Sequence, residues 1–229
     1  FDVDGKTYIN ERAIATQQTG FWFVGQSRGW LPDEIGGIIW FGTDGTATSY
    51  LTPIYTNVTE VPECFAVGNG DMITYSPTSA FWMTNRVANA CYRMYNQMEP
   101  VVRKAIDKWE NECLEAVAAK DKELLELYKV ATSASKKAAR KTDVYAPLKV
   151  ALTEFSLAKA QTIFDAWCAL ETHLLVKFMD GNVKAQNEDG SFVTNGFSEH
   201  IPGSIEHPEY TDKWKEAVVA DHGKTLLQY

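Results

Sequence analysis

Gln26 and Arg28 close a strand-like run, Thr19 to Arg28 (TGFWFVGQSR), and Thr48 and Ser49 follow an Asp-Gly pair, so four polar side chains suited to a small polar ligand lie close in sequence. A guanidinium fixed at a strand end can grip a carboxylate through two parallel hydrogen bonds, while an amide and two hydroxyls supply further donors and acceptors. Each also has a purely structural reading. Arg28 can pair with Asp33 or Glu34, the Gln26 amide can satisfy nearby backbone groups, and Thr48 and Ser49 can bond within their own turn. We expect these four as the substrate-binding residues of this chain.

A nucleophile is harder to find. Cys64 sits in a predicted loop, where Glu60 and Glu63 would raise rather than lower its pKa. Cys91, Cys113 and Cys168 fall on apolar helix faces, where thiols are inert. The spacing contains no CxxC pair and reads as neither a zinc site nor a small disulfide framework, although Cys113 and Cys168 can meet if their helices fold back around residue 142. His173, His200, His207 and His222 are dispersed. Only His200 and His207 share a loop, beside Glu199 and Glu206, and they read as surface residues. Asp44, in Thr43-Asp44-Gly45-Thr46, reads as a turn former supplying positive φ rather than as a catalytic acid. Phosphate-binding glycine loops, dinucleotide fingerprints, nucleophile elbows and HExxH helices are missing from the sequence. We therefore expect no metal and no organic cofactor.

The elements that must position these residues fall into three stretches. Residues 1–76 are β-rich: TGFWFVGQSR, Gly36 to Gly42 (GGIIWFG) and Thr48 to Thr56 (TSYLTPIYT) are strands, the last two joined as a hairpin by a tight turn at Asp44-Gly45. The first strand is apolar on both faces at its start and is expected to be covered on both sides. Residues 77–180 are helical. A first helix is capped by Ser76 or Thr78, and Pro100 restarts or kinks it. The apolar stripe continues through Val101, Ala105, Trp109, Leu114, Val117, Leu124, Leu127 and Val130. A second long helix starts near Pro147, keeps Leu148, Leu152, Phe155 and Leu170 on one face, and stops at Gly181. The two long helices are expected to form an antiparallel hairpin. Residues 181–229 form a loop-rich tail with a short helix from Thr211 to about Ala220.

With 229 residues and 45% hydrophobic side chains, the chain can bury a sizeable core. A net charge of -8 argues against nucleic acid as a partner. The one basic cluster, Lys136, Lys137, Arg140 and Lys141, reads as the solvated end of a helix. No apolar run is long enough for a membrane span. The compartment stays open between cytoplasm and cell envelope, and the amphipathic helices can pair with a partner or with a second copy as a homo-oligomer. Phe1 opens on strand-like runs with few partners of their own, so the chain is expected to be part of a larger fold.

The run RGWLPDEIGGIIWFGTDGTATSYLTPIYTNVTEVPECF, from Arg28 to Phe65, resembles the cysteine dipeptidases of the N-terminal-nucleophile (Ntn) hydrolase superfamily in their pattern R..LP..IGG..WFG....ATS...P.Y....E.P. SAFWMTNRVAN at Ser79 to Asn89 and HPEYTDKWKEAVVADHG near the end extend the similarity over nearly the whole chain. The resemblance is to the C-terminal part of such enzymes. It implies an α+β fold, the C-terminal part of an Ntn-type αββα sandwich, with the helical hairpin as a family-specific addition. It also implies hydrolysis of dipeptides by an N-terminal Cys whose own amino group is the base. That Cys would lie upstream of Phe1, so this chain alone is expected to be inactive and to need the N-terminal part of the same protein. A dipeptidase must hold the substrate's free termini, and Arg28 is the expected partner of the carboxylate. The rival readings are another Ntn amide hydrolase, acting on bile salts or penicillins, and a non-catalytic binding or assembly module.

Overall fold

The computed structural model describes residues 1–9, 11, 13–135, 143–223 and 225–226; the basic cluster from Lys136 to Lys141 lies outside the described residues. The chain divides into two compact units, residues 1–172 and 173–229. The fold is α+β.

The first unit opens with a short ribbon, β1 (Asp2–Val3) paired with β2 (Lys6–Thr7), around a turn in which Asp4 and Gly5 take positive φ. Its main sheet is antiparallel and has three strands, β3 (Phe21–Ser27), β4 (Gly37–Thr43) and β5 (Thr52–Tyr55), in that order. A single helical turn, α1 (Asp33–Gly36), leads into β4. Because side chains alternate across a strand, Ile38 and Trp40 of β4 share one face with Tyr55 of β5, and all three are buried. That face meets the long helices: the Tyr55 hydroxyl donates to Asp121, its ring packs edge-on against Phe155, and its backbone N–H donates to Ser156 Oγ.

The opposite face remains open. Phe21, Phe23 and Ile39 are 62%, 59% and 40% exposed, and Val24 on the other side of β3 is 50% exposed. The expectation that β3 is covered on both sides is therefore corrected. Among the described residues only β4 pairs with it, leaving β3 an edge strand with apolar side chains in solvent.

Three helices complete the unit: α2 (Ala80–Arg93), α3 (Tyr95–Ser135) and α4 (Ala146–Phe178), which runs past residue 172. The N-cap of α2 is Ser79, whose side chain makes no capping bond; Ser76 and Thr78 instead both donate to Asn69 Oδ1. The break between α2 and α3 falls at Met94 (φ -147, ψ 60), so Pro100 lies inside α3 rather than starting it. Pro100 is the sixth residue of α3, past the first turn, so the helix forgoes one hydrogen bond, to the Asn96 carbonyl. The buried stripe of α3 runs Met98, Val102, Ile106, Trp109, Cys113, Val117 and Leu124, while Leu114 and Val130 of the expected stripe are exposed. Cys113, expected on an apolar helix face, is fully buried in this stripe. The helices run antiparallel: Tyr128 stacks on Tyr145, and Lys159 lies over the Trp109 ring.

In the second unit α4 ends in a 3-10 turn, Met179–Gly181, where Asp180 and Gly181 both have positive φ, as the expected Gly181 stop requires. A small ribbon follows, β6 (Val183–Lys184) with β7 (Ile205–Glu206), and then α5 (Asp212–His222). Thr211 caps α5 by accepting from the Trp214 N–H, and Tyr210 stacks on Trp214 at 4.0 Å.

Candidate functional site

A close backbone approach lies at the end of β4. A Cβ on Gly42 would stand 2.5 Å from the Tyr50 carbonyl oxygen and 2.8 Å from Trp22 Nε1, so only glycine lets these segments close. Asp44 then takes φ +68, the left-handed region that Asp and Asn tolerate best among side-chain-bearing residues. The expected tight two-residue turn does not form. The chain between β4 and β5 instead makes an eight-residue excursion, Asp44 to Leu51, and Thr48 to Leu51 are not strand. The Gly45 carbonyl organises it, accepting from the Thr48 N–H at 3.2 Å and from Ser49 Oγ at 2.9 Å. Trp22 Nε1 donates to the same Ser49 Oγ at 2.8 Å, which pins the excursion to β3.

Buried polar groups short of partners lie in this excursion. Asp44, Thr48 and Tyr50 are each 1% exposed; Asp44 Oδ2 and the Tyr50 hydroxyl have no hydrogen-bond partner, and the Thr48 hydroxyl reaches only the Tyr92 phenol. Such groups each cost about 1–3 kcal/mol, and native interiors hold few of them. Burial pushes the Asp44 carboxyl up to about 6, against a smaller opposing effect of the Gly45 backbone. Tyr92, near the end of α2, has its phenol raised first by burial and then by the Asp44 charge, with the Thr48 hydroxyl acting the other way.

A cleft of about 200 Å³ opens here, lined by Ala15 to Gln17, Gly45 to Thr48, and Tyr92 and Tyr95. The Met94 break in the helix sets the two tyrosines on either side of it. The cleft presents one hydroxyl, of Thr48, and two phenols, with a mouth open to solvent, while the Asp44 side chain is buried and does not line it. It can hold a hydrogen-bonding group.

Of the four expected binding residues, Thr48 alone lines this cleft. Ser49 is fully buried, donating to Gly45 O and accepting from Trp22. Gln26 accepts from Trp40 Nε1 at 2.9 Å. Arg28 is 4% exposed, and its guanidinium donates to the carbonyls of Gly36 at 3.2 Å and Ile35 at 2.6 Å and pairs with Asp121. The ion-pair partner is thus Asp121 of α3 rather than Asp33 or Glu34, which are close in sequence but do not pair with it. Arg28 also lies over the Tyr55 ring, 5.5 Å from its centroid, and Tyr55 donates to the other Asp121 oxygen.

All four cysteines are free, including Cys113 and Cys168. Cys64 lies in a buried 3-10 turn, Glu63–Phe65, rather than an open loop. Its thiol is pushed up to about 12 by burial, with Glu63 adding to the shift. Burial likewise raises Cys91 to about 11 and Cys113 to about 12, so neither is a thiolate at neutral pH. His173 lies against Phe192 and is held below its ordinary value by burial and by Lys177, while His200 and His207 are exposed. Among the described residues no three His, Cys, Asp or Glu side chains gather as metal ligands, and no helix is long and apolar enough to cross a membrane.

Sequence reasoning missed Tyr92 and Tyr95 as cleft residues, hidden in a helical pattern whose break lies at Met94 rather than at Pro100. Residues 2–108, which include β1 to β5, α2 and every residue of the cleft, match the family model of Peptidase family C69. The match agrees with the resemblance to cysteine dipeptidases and supports a peptidase. No curated protein matches the chain.

Proposed function

We propose that this chain, whose residues 2–108 carry a Peptidase family C69 segment, is the C-terminal portion of a cysteine-type dipeptidase. Its nucleophile is an N-terminal Cys upstream of Phe1. The family match is the observation that carries this reading. The four free thiols within the chain support it from the other side, since burial raises all of them away from the thiolate form a nucleophile needs.

The open sheet face gives the reading a physical basis. Phe21, Phe23 and Ile39 present an apolar surface, and fully burying side chains of this kind contributes about 1.5–3 kcal/mol each. The N-terminal part of the same protein covers that surface in our account, completing an αββα sandwich and carrying its nucleophile to the β4 end. In that assembly the Asp44–Thr48 excursion forms one wall of the substrate site. Arg28, Gln26 and Ser49 support the wall from behind, and Thr48 touches substrate.

The test is a mixed dipeptide panel applied to this chain and to the intact protein, after sequencing the N-terminus of the mature enzyme. Turnover only by the intact protein, with Cys at its mature terminus, is expected. Turnover by this chain alone would overturn the assignment.

A further inference from the structure

The dipeptidase reading names the bond that is cut and leaves the substrate's side chains open. The cleft beside the Asp44 to Leu51 excursion bears on them. Two aromatic rings line it, Tyr92 near the end of α2 and Tyr95 at the start of α3, and both are accessible, at 37% and 46% exposed. The Thr48 hydroxyl reaches the Tyr92 phenol and so holds that ring by its polar end. Ala15, Gly45 and Ala47 line the cleft too, and side chains this small leave the space beside the rings unfilled. The Thr16 carbonyl oxygen lies 3.2 Å from where a Gly45 Cβ would stand, so the two segments of the wall meet closely.

Size and lining select the occupant. The cleft measures about 200 Å³, and an apolar cavity of about 150 Å³ already admits benzene. A drug-sized molecule, which needs roughly 300 Å³ or more, does not fit. Among the described residues that line the cleft none carries a charge, so a carboxylate or ammonium brought inside would lose water without gaining an ion partner. An aliphatic side chain would gain from burial alone. A flat ring gains from burial and also from the offset or edge-on contacts that aromatic pairs favour.

We propose, on the basis of the dipeptidase reading, that this cleft is a subsite for an aromatic side chain of the dipeptide, with Tyr92 and Tyr95 as its specificity-determining residues. Tyr92, held by Thr48, is the fixed wall. Ala47, exposed on its turn, sets the space available, because a larger side chain there takes the volume that the ring needs.

The experiment uses the intact protein as wild type, Tyr95→Ala, Tyr95→Phe and Ala47→Leu. Both positions are exposed, so the variants are expected to fold. We would measure kcat/KM for Ala-Ala and for dipeptides in which Phe or Leu replaces the first or the second residue. Wild type should favour Phe over Ala by about tenfold at one of the two positions, and favour Phe over Leu there as well. The position that shows this preference is the one whose side chain enters the cleft. Tyr95→Ala should shrink the ratio of Phe to Ala by about fivefold, Tyr95→Phe should keep it, and Ala47→Leu should abolish it. Phe no better than Leu at both positions, or a ratio that neither Tyr95→Ala nor Ala47→Leu moves, would overturn the subsite. Binding separates this from failure of the enzymatic reading. By calorimetry, N-acetyl-phenylalaninamide should bind more tightly than N-acetyl-alaninamide, with the difference lost in Ala47→Leu. That binding pattern without turnover of any dipeptide by wild type overturns the dipeptidase assignment alone, and dipeptide turnover without a preference for Phe overturns the subsite alone.

Discussion

Two buried polar groupings sit on the same sheet and are satisfied to opposite degrees. At one end, Arg28, Asp121 and Tyr55 form a closed network: the guanidinium has two carbonyl acceptors and a carboxylate, and the phenol takes the second carboxylate oxygen. At the other, Asp44 and Thr48 are equally buried, yet Asp44 Oδ2 has no partner and the Thr48 hydroxyl reaches only the Tyr92 phenol. A closed network joins β-sheet to α3 and specifies their register. The open one leaves bonding capacity unsatisfied next to a cleft that Thr48 lines.

The sharpest way to break this contrast is to empty each grouping in turn. Arg28→Met leaves Asp121 partly buried without its cation, and in the intact protein we expect a loss of about 3–5 kcal/mol, read as a lower denaturation midpoint. An unchanged midpoint would mean that the network contributes nothing to the fold.

Asp44→Asn should act in the opposite direction on stability. The Asp44 carboxyl is raised from 3.8 to about 6 in the folded protein, so the native state prefers the neutral form. The stability contributed by that neutral form is fully present below pH 3.8 and is lost as pH rises through about 6. The neutral Asn should therefore stabilise the protein above pH 6 by about 1–3 kcal/mol, and the gain should vanish as pH falls below 4. Melting curves of both proteins across pH 3.5 to 8, about the range over which the carboxyl titrates, check the sign.

Smaller effects sharpen the picture of how the open grouping is held. Gly42→Ala forces a Cβ against the Tyr50 carbonyl and should cost about 1–3 kcal/mol. Trp22→Phe removes only the hydrogen bond to Ser49 and should cost about 1 kcal/mol. The test of interest for Trp22→Phe is a loss of dipeptide turnover greater than its stability loss explains. Loss of both in proportion would make the latch purely structural.

Much of the architecture was legible from periodicity. The strands at Phe21 and Gly37, the long helices, the Gly181 stop and the Thr211 cap all follow from local rules acting on short stretches. The departures share a cause in long-range packing. The excursion after Asp44 exists because Gly42 allows Trp22 and Tyr50 to close around it, and those contacts join three separate segments. The exposure of β3 depends on which neighbour covers the sheet. Of the four expected binding residues, Thr48 lines the cleft; Asp44 looked like a turn residue and is one, and burial raises its carboxyl to about 6. Arg28 read as a carboxylate binder or as a partner of Asp33 or Glu34, while its ion-pair partner lies far along the chain at Asp121.

The central claim is that the Asp44–Thr48 excursion forms a wall of the substrate site, with Thr48 facing the cleft. It is tested most directly by measuring the stability and the Ala-Ala turnover of intact Thr48→Val. Our account predicts a protein at least as stable as wild type and less active. A variant that turns over Ala-Ala as wild type does would contradict it.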